Sequence, residues 1–244
     1  MKKIVLSSAV ATIVAICAAF KIYGDDILAK LGIDKGYANE TVFANVAGEG
    51  FRLPYVKLLP SIVQGDKVGA AKELCIYIKD YCKSEEFKKA YAQKREDEKP
   101  TSEPPRADAE TIKGMKESLK EYDELLKNPA IKSMPKEVVD GYKKAADAMR
   151  VMIAESEDPT PNKTKWEKKY PAVADTIIKR QLKEYLSLVA SVDFNAELIP
   201  KGGKKIFANP EYERKSERWK ACFRAGKEVN DAIKSFVQQW LKEL

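Results

Sequence analysis

Residues 209–244, NPEYERKSERWKACFRAGKEVNDAIKSFVQQWLKEL, decide the fold class. Apolar side chains recur there every three or four positions, which is the spacing of one helical face. Asn209-Pro210 has the form of a helix start. The residues of the stripe are Trp219, Cys222, Phe223, Gly226, Val229, Ile233, Val237, Trp240 and Leu241. The stripe predicts one helix of about 30 residues and about 45 Å, long enough to be the spine of the fold.

The segment before this helix changes period. Val192, Phe194, Ala196 and Leu198 alternate with polar residues, and residues 200–203 supply a turn before Ile206-Phe207. This alternation predicts a small β-hairpin. A further helix is expected to begin around Pro171, with proline in its first turn. Its predicted buried side consists of Val173, Ile177, Ile178, Leu182, Tyr185 and Val189.

Two amphipathic segments in the middle of the chain predict an antiparallel helical hairpin over residues 108–155. The first carries Ile112, Met115, Leu119, Tyr122 and Leu126, and ends at Asn128-Pro129. The second opens near Ser133 and Pro135 and carries Val138, Tyr142, Ala145, Met149 and Met152. Polar, proline-rich residues 96–105 precede the hairpin as a linker or loop tip, and residues 157–161 close it. A projecting coiled-coil arm and a hairpin folded back on the body are both compatible with this pattern.

The N-terminal part of the chain is also helical by its spacing. Gly65-Asp66 predicts a break and an N-cap, and Ser84 is a second candidate cap. The apolar positions after these caps are Val68, Ala71, Cys75, Ile78 and Cys82, then Phe87 and Tyr91. The sequence therefore predicts a mostly α fold. It is a long-helix bundle with an antiparallel helical hairpin and one small β-hairpin before a long C-terminal helix. The expected regions are 25–95, 108–155 and 163–244, within one composite domain over 25–244.

The extreme N-terminus has the layout of a secretion signal. Lys2 and Lys3 precede Ile4 to Phe20, a run without a charge. Seventeen apolar residues span roughly 25 Å, less than the ~30 Å of a bilayer core. Residues 1–20 therefore predict export to the periplasm or envelope. The small residues around Cys17 form neither a clean cleavage site nor a clean lipoprotein box, so a retained or lipidated anchor through residues 4–20 stays open.

The composition excludes several kinds of chemistry. The chain has no histidine, so it lacks the commonest general base and metal ligand. It has no Cys-x-x-Cys pair, and no residue set predicts a catalytic, cofactor or metal site. The formal net charge is +7 in a chain that is one-third charged. This modest excess and export do not favour a nucleic-acid partner.

Two weaker site hypotheses remain. A basic stretch could bind an anionic partner, pair with the acidic residues 96–124, or be a solvated helix flank. Its residues are Lys201, Lys204, Lys205, Arg214, Arg218, Lys220, Arg224 and Lys227. An oxidising compartment would also permit a disulfide of Cys222 with Cys75 or Cys82. Cys75 and Cys82 lie about 10.5 Å apart on one helix and cannot pair with each other. The alternative is that all three are small core side chains.

Three C-terminal stretches and one linker carry a resemblance. They are residues 192–198, 207–213 and 219–228 running on to 238–244, together with 99–106. These stretches resemble a group of uncharacterised exported helical proteins of Bacteroidota-type bacteria, and the likeness extends over most of the mature chain. The resemblance implies export, and it transfers no activity and no site residue.

These patterns favour a non-enzymatic envelope protein that binds or organises other envelope proteins through helical surfaces. A periplasmic holdase-type chaperone is a narrower version of the same hypothesis. An envelope enzyme that uses two carboxylates is the rival from another class. An anchored accessory subunit of a membrane complex is the third alternative. The oligomeric state is not predicted.

Overall fold

A computed structural model describes residues 27–48, 51–52 and 66–244. The predicted signal or anchor at residues 1–20 lies outside the described residues. The chain divides into two compact units, and each has its own internal packing. We call residues 97–169 the hairpin unit, and the described residues of 27–96 together with 170–244 the core unit.

The fold is mostly α, as predicted. In chain order the elements are α1 Ile27–Leu31, α2 Lys35–Ala47, α3 Lys67–Lys83, α4 Glu85–Asp97, α5 Ala109–Lys127, the short 3-10 helix η1 Pro129–Ser133, α6 Lys136–Glu157, α7 Pro161–Lys169, α8 Ala174–Ala190, β1 Leu198–Lys201, β2 Lys204–Phe207, α9 Pro210–Glu213, α10 Glu217–Ala225 and α11 Lys227–Glu243.

The core unit packs α3 along α11, and α8 against α2, α10 and α11. The predicted stripes are buried at these contacts. Fully buried large side chains include Leu74, Phe87, Ile177, Leu182, Tyr185, Trp219 and Ile233. The two predicted caps are also confirmed. Asp66 accepts a bond from Gly69 N at 2.8 Å, and Ser84 Oγ accepts one from Phe87 N at 3.2 Å.

The expectation of one unbroken C-terminal helix is wrong. Three helices occupy the segment, and the last has 17 residues. Gly226 interrupts the stripe with φ 88° and ψ 162°, a conformation open only to glycine. Buried Asn230 holds the break, since its Nδ2 donates to Cys222 O at 2.8 Å and to Gly226 O at 2.7 Å. The apolar stripe therefore continues across a chain that turns.

The β-hairpin is confirmed, but its first strand is shorter than predicted. β1 pairs antiparallel with β2 from Leu198↔Phe207 to Lys201↔Lys204. Gly202 and Gly203 have φ 55° and 76°, the positive pair that a two-residue primed turn requires. Residues 192–197 are not strand because Asp193 forms a local turn, with its Oδ1 accepting from Asn195 N at 3.0 Å.

The start of α8 is also displaced from its predicted place. The helix begins at Ala174, so Pro171 is outside it, and Val173 is exposed rather than buried. The preceding backbone is tied to α4 instead. Tyr91 OH donates to Pro171 O at 2.9 Å, and Arg95 Nε donates to Tyr170 O at 3.0 Å. These bonds hold residues 170–171 in a bend, and the helix starts after it.

The hairpin unit contains the predicted antiparallel helical hairpin, formed by α5 and α6 with η1 between them. The predicted inward stripe of α6 is partly wrong, because Val138 and Met152 are exposed while Ala146 and Ile153 are buried. Helix α7 was not predicted. Glu103 of the supposed linker caps it, accepting from Asn162 N at 2.7 Å and Lys163 N at 2.9 Å.

Candidate functional site

A strip of apolar residues on α6 faces solvent. We call it the α6 strip: Val138, Gly141, Ala145, Ala148 and Met152. Steps of three and four residues place these positions on one side of the helix. Val138 is 42% exposed and Met152 is 56% exposed. The strip spans 15 residues, and the distance along the helix from Val138 to Met152 is about 21 Å. Met134, also exposed, lies just before it.

The hairpin buries little of its apolar surface. None of the side chains of α5 is buried, and in α6 only Ala146 and Ile153 are. Tyr122 and Tyr142 meet with ring centroids 6.4 Å apart, and both remain partly exposed. Exposed ion pairs fasten the edges, as between Lys116 and Glu157 at 2.5 Å. The two helices therefore share a narrow contact, and the apolar side of α6 is wider than α5 covers.

A cavity of about 240 Å³ adjoins the end of the strip at Met152. Its apolar wall is Pro104, Pro105 and Met152. Its polar wall includes Glu155, whose carboxylate forms a 2.7 Å ion pair with Lys165. The volume is below the ~300 Å³ of small-molecule pockets and above the ~150 Å³ of a cavity that holds one benzene ring. The cavity therefore has the size for a single large side chain.

The carboxylates that fix the ends of this unit are stabilised in their charged form. Asp158 lines the cavity, and hydrogen bonds from Thr164 and Thr160 lower its pKa. Asp108 is the N-cap of α5, and its bonds to the backbone and side chain of Thr111 lower its pKa. Both groups contribute stability above the ordinary carboxyl pKa, and that stability is lost as the pH falls through their depressed values.

The predicted basic surface is divided among different environments. Lys201, Lys204 and Lys205 are exposed on the β-hairpin, and Arg214 and Arg224 are exposed on or beside the helices that follow. Lys220 lies between Glu213 at 3.6 Å and Glu217 at 3.5 Å. Lys227 forms a 2.6 Å ion pair with Asp231. The three hairpin lysines are thus a separate group within the predicted set.

Arg218, another member of the predicted set, is only 9% exposed. Its guanidinium lies 5.6 Å from the ring centroid of Phe51, and its Nη2 has no hydrogen-bond partner. Burial lowers its pKa, an effect that the charge of Glu184 opposes. Burial also raises the pKa of Glu184, which Arg180 and Arg218 counteract. Arg218 therefore packs as part of the core unit and offers no exposed charge.

The described cysteines Cys75, Cys82 and Cys222 are free and buried. The predicted disulfide is not formed in this structure. Burial raises the pKa of Cys75 and of Cys222 to about 12, and raises that of Cys82 as well. Because only a thiolate is an effective nucleophile, these thiols are inert near neutral pH. Their environment matches the alternative of small core side chains.

The strip was missed because its apolar residues were assigned to the interior of the hairpin. One signal in the sequence points to it. Four of the five methionines of the chain, Met115, Met134, Met149 and Met152, lie in this hairpin. Methionine is flexible and polarisable, and it is frequent on surfaces that accept varied apolar partners.

Two general findings apply to the described residues. None of the helices from residue 27 onward that the structure describes combines the length and the apolarity needed to cross a bilayer. Within the same ranges, no three histidine, cysteine, aspartate or glutamate side chains converge as metal ligands could.

Comparisons with known proteins identified no relative. The chain matches no protein-family model, no curated protein and no solved structure.

Proposed function

We propose that this protein is a non-enzymatic, exported envelope protein that binds apolar helical segments of other proteins along the α6 strip. The observation that carries the proposal is the exposure of the strip. Val138 and Met152 expose about half of their surface on a helix whose partner, α5, buries none of its own side chains. Apolar patches of this kind on a water-soluble unit mark interaction sites.

The shape of the strip favours a helix as the occupant. It is straight and about 21 Å long, a length over which an amphipathic helix presents about four apolar positions. A third helix laid on α5 and α6 would complete a bundle and cover the uncovered side of α6. The cavity at Met152 would receive one large side chain of that helix. Burial of a few half-exposed side chains supports an affinity in the micromolar range, ~1 μM to ~1 mM.

The export part of the proposal rests on residues 1–20, with two lysines before an uncharged apolar run. The absence of a catalytic role rests on the absence of histidine and on the buried, protonated thiols. Both parts are supported by features of the chain outside the strip, so they can fail independently of the binding proposal.

A peptide-binding measurement tests the strip. The probe is a fluorescein-labelled amphipathic peptide of about 20 residues with leucines on one face, long enough for the whole strip. We expect saturable binding, measured by fluorescence anisotropy, and a loss of at least tenfold in the V138E/M152E variant. The matched control is Val151→Glu, because Val151 has the same 56% exposure as Met152 but lies outside the strip beside Asp147. Equal binding by all three proteins contradicts the proposal.

A holdase-type chaperone is a second candidate, which the methionines of the hairpin favour because adaptable side chains accept many sequences. A chaperone would bind an unfolded chain, whereas the helix-binding protein proposed above binds a formed amphipathic helix. Suppression of the aggregation of an unfolded outer-membrane protein at stoichiometric amounts, lost in V138E/M152E, supports the chaperone. No suppression, with peptide binding retained, leaves the helix-binding function.

A further inference from the structure

The two faces of the β-hairpin differ in their contacts within the core unit. Phe207 is buried, so side-chain alternation places its pair partner Leu198 on the same inner face. The opposite face carries Ile199 and Ile206, paired with each other, and then Lys201 and Lys204 at the turn. Ile199 is 39% exposed and Ile206 is half-buried, while Leu198 at the edge of the inner face is 38% exposed. The outer face therefore combines apolar side chains with adjacent cations.

The β-hairpin carries positive charges and no acidic residue of its own. Residues 198–207 contain three lysines and no acidic residue. Lys201, Lys204 and Lys205 are exposed, and none of them forms an ion pair with another described residue. Lys220 and Lys227, later in the same basic stretch, are already paired with carboxylates. The exposed, unpaired charge of this stretch therefore lies at the tip of the β-hairpin and at Arg214 and Arg224, and only at the tip do three cations lie within five residues.

The base of the β-hairpin packs into an aromatic cluster, while the space beside its two turn glycines is open. The ring of Phe207 packs against Tyr212, Trp219 and Phe223, with centroids 4.7–5.8 Å away. Its backbone N donates to Glu213 Oε1 at 2.7 Å, and Ala208 N donates to Glu197 O at 2.9 Å. No heavy atom lies within 4 Å of a Cβ built on Gly202 or Gly203. The tip therefore projects from an ordered support.

We propose that this hairpin tip docks on the surface of an anionic phospholipid membrane. Its lysines would contact lipid phosphates, and Ile199 with Ile206 would enter the boundary between headgroups and acyl chains. A cation next to exposed apolar residues matches that boundary, which is negative outside and apolar below. An acidic protein surface would accept the lysines but would give no reason for the exposed Ile199 beside the half-buried Ile206. Each surface lysine contributes about fivefold to such binding, so the three together contribute about a hundredfold.

The experiment uses the full chain mixed with vesicles whose acyl chains are brominated, because contact with bromine quenches tryptophan fluorescence. The reporter is Ile199→Trp, with Ile206→Trp as a second reporter if the first does not fold. The native tryptophans are buried, so unsubstituted protein provides the background. We expect strong quenching with phosphatidylglycerol vesicles and little with phosphatidylcholine vesicles. A signal from position 199 or 206 reports the tip itself, whether or not residues 4–20 also insert.

The charge requirement is tested in the same reporter. K201E/K204E/K205E should reduce the apparent affinity for the anionic vesicles by about a hundredfold. The matched control K72E/K89E/K234E makes the same change in net charge at three exposed helical lysines of the core unit and should reduce it much less. The proposal is overturned by absent quenching, by equal quenching with both lipids, or by equal effects of the two triple variants. Binding of polyglutamate through the tip lysines without quenching would also overturn it, in favour of an acidic protein partner. M152E should leave the quenching unchanged, which separates this proposal from the α6 strip.

Discussion

Helices α5 and α6 of the hairpin unit are about as amphipathic as α8, α10 and α11 of the core unit, but the two units bury their apolar faces differently. In the core unit each helix of α8, α10 and α11 buries at least five side chains, among them Tyr185, Trp219 and Trp240. In the hairpin unit α5 buries none and α6 buries two. An apolar stripe therefore has two fates. It forms a core when three or more helices converge, and it remains partly open when only two meet.

The largest expected effect is the difference in stability lost when an aromatic side chain is removed from each unit. Trp219→Ala should destabilise the core unit by about 3–5 kcal/mol, because it removes a buried ring in contact with three others. The matched variant Tyr122→Ala in the hairpin should cost about 1 kcal/mol, since Tyr122 is already partly in water. Urea unfolding measures both values. Equal losses would contradict the difference in burial.

The next effect concerns the polar residue that holds the helix break. Asn230→Ala should cost about 2–3 kcal/mol, because it leaves the buried carbonyls of Cys222 and Gly226 without these donors. Tyr185→Phe is the control. Tyr185 OH donates to Asn230 at 3.3 Å, so its loss should cost about 1 kcal/mol. If the two variants lose equal stability in urea, Asn230 is not what holds the break.

Replacing a glycine by alanine should have opposite effects on stability in the two units. Gly226→Ala should destabilise the protein by about 1–3 kcal/mol, since its φ of 88° is strained for alanine. Gly114→Ala in α5 should stabilise the hairpin unit by about 0.5–1 kcal/mol, because its added Cβ meets no atom within 4 Å. Thermal unfolding followed by circular dichroism gives the two shifts in Tm. A stabilising Gly226→Ala would mean that α10 and α11 form one helix.

Mildly alkaline pH should cause the smallest loss of stability, and the loss should come from the core unit, which contains the buried cysteines. The pKa values of Cys75 and Cys222 are about 12 in the folded protein, above the ordinary value of 9.0, because both thiols are buried. Their contribution to stability is complete well below pH 9.0 and declines as the pH rises through 9.0 toward about 12, since the unfolded thiols ionise first. The urea midpoint should therefore fall slightly between pH 8 and about 9.5, where ordinary thiols ionise. Cys222→Val should reduce the fall of the urea midpoint over this pH range. An unchanged fall in this variant would contradict a contribution from the Cys222 thiol.

The sequence predicted the helices because helical spacing survives in every unit of the fold. It could not predict the division of residues 209–244. The stripe from Trp219 to Trp240 keeps its period through Gly226, and only the bonds of Asn230 show that the chain turns there. The short first strand has a similar cause. Apolar alternation from residue 192 was a valid strand signal, but the Asp193 turn prevailed over it.

The candidate sites were harder to predict because exposure depends on partners distant in sequence. Met152 and Ile153 are both apolar and adjacent, yet the first is 56% exposed and the second is buried. Likewise, eight basic residues formed one patch by sequence. In the folded protein, Lys220 and Lys227 form ion pairs with carboxylates and Arg218 is buried. The lysines of the β-hairpin remain exposed. Periodicity identifies an amphipathic helix, but it does not show how much of the apolar face a neighbour covers.

Photo-crosslinking in cells shows whether the uncovered side of α6 contacts other proteins. A benzoylphenylalanine is placed at position 152 or at position 151 of the full chain, two adjacent residues with 56% exposure each. We expect crosslinked adducts with other proteins from position 152 and few from position 151. Equal adducts from both positions, or none from position 152, would contradict it.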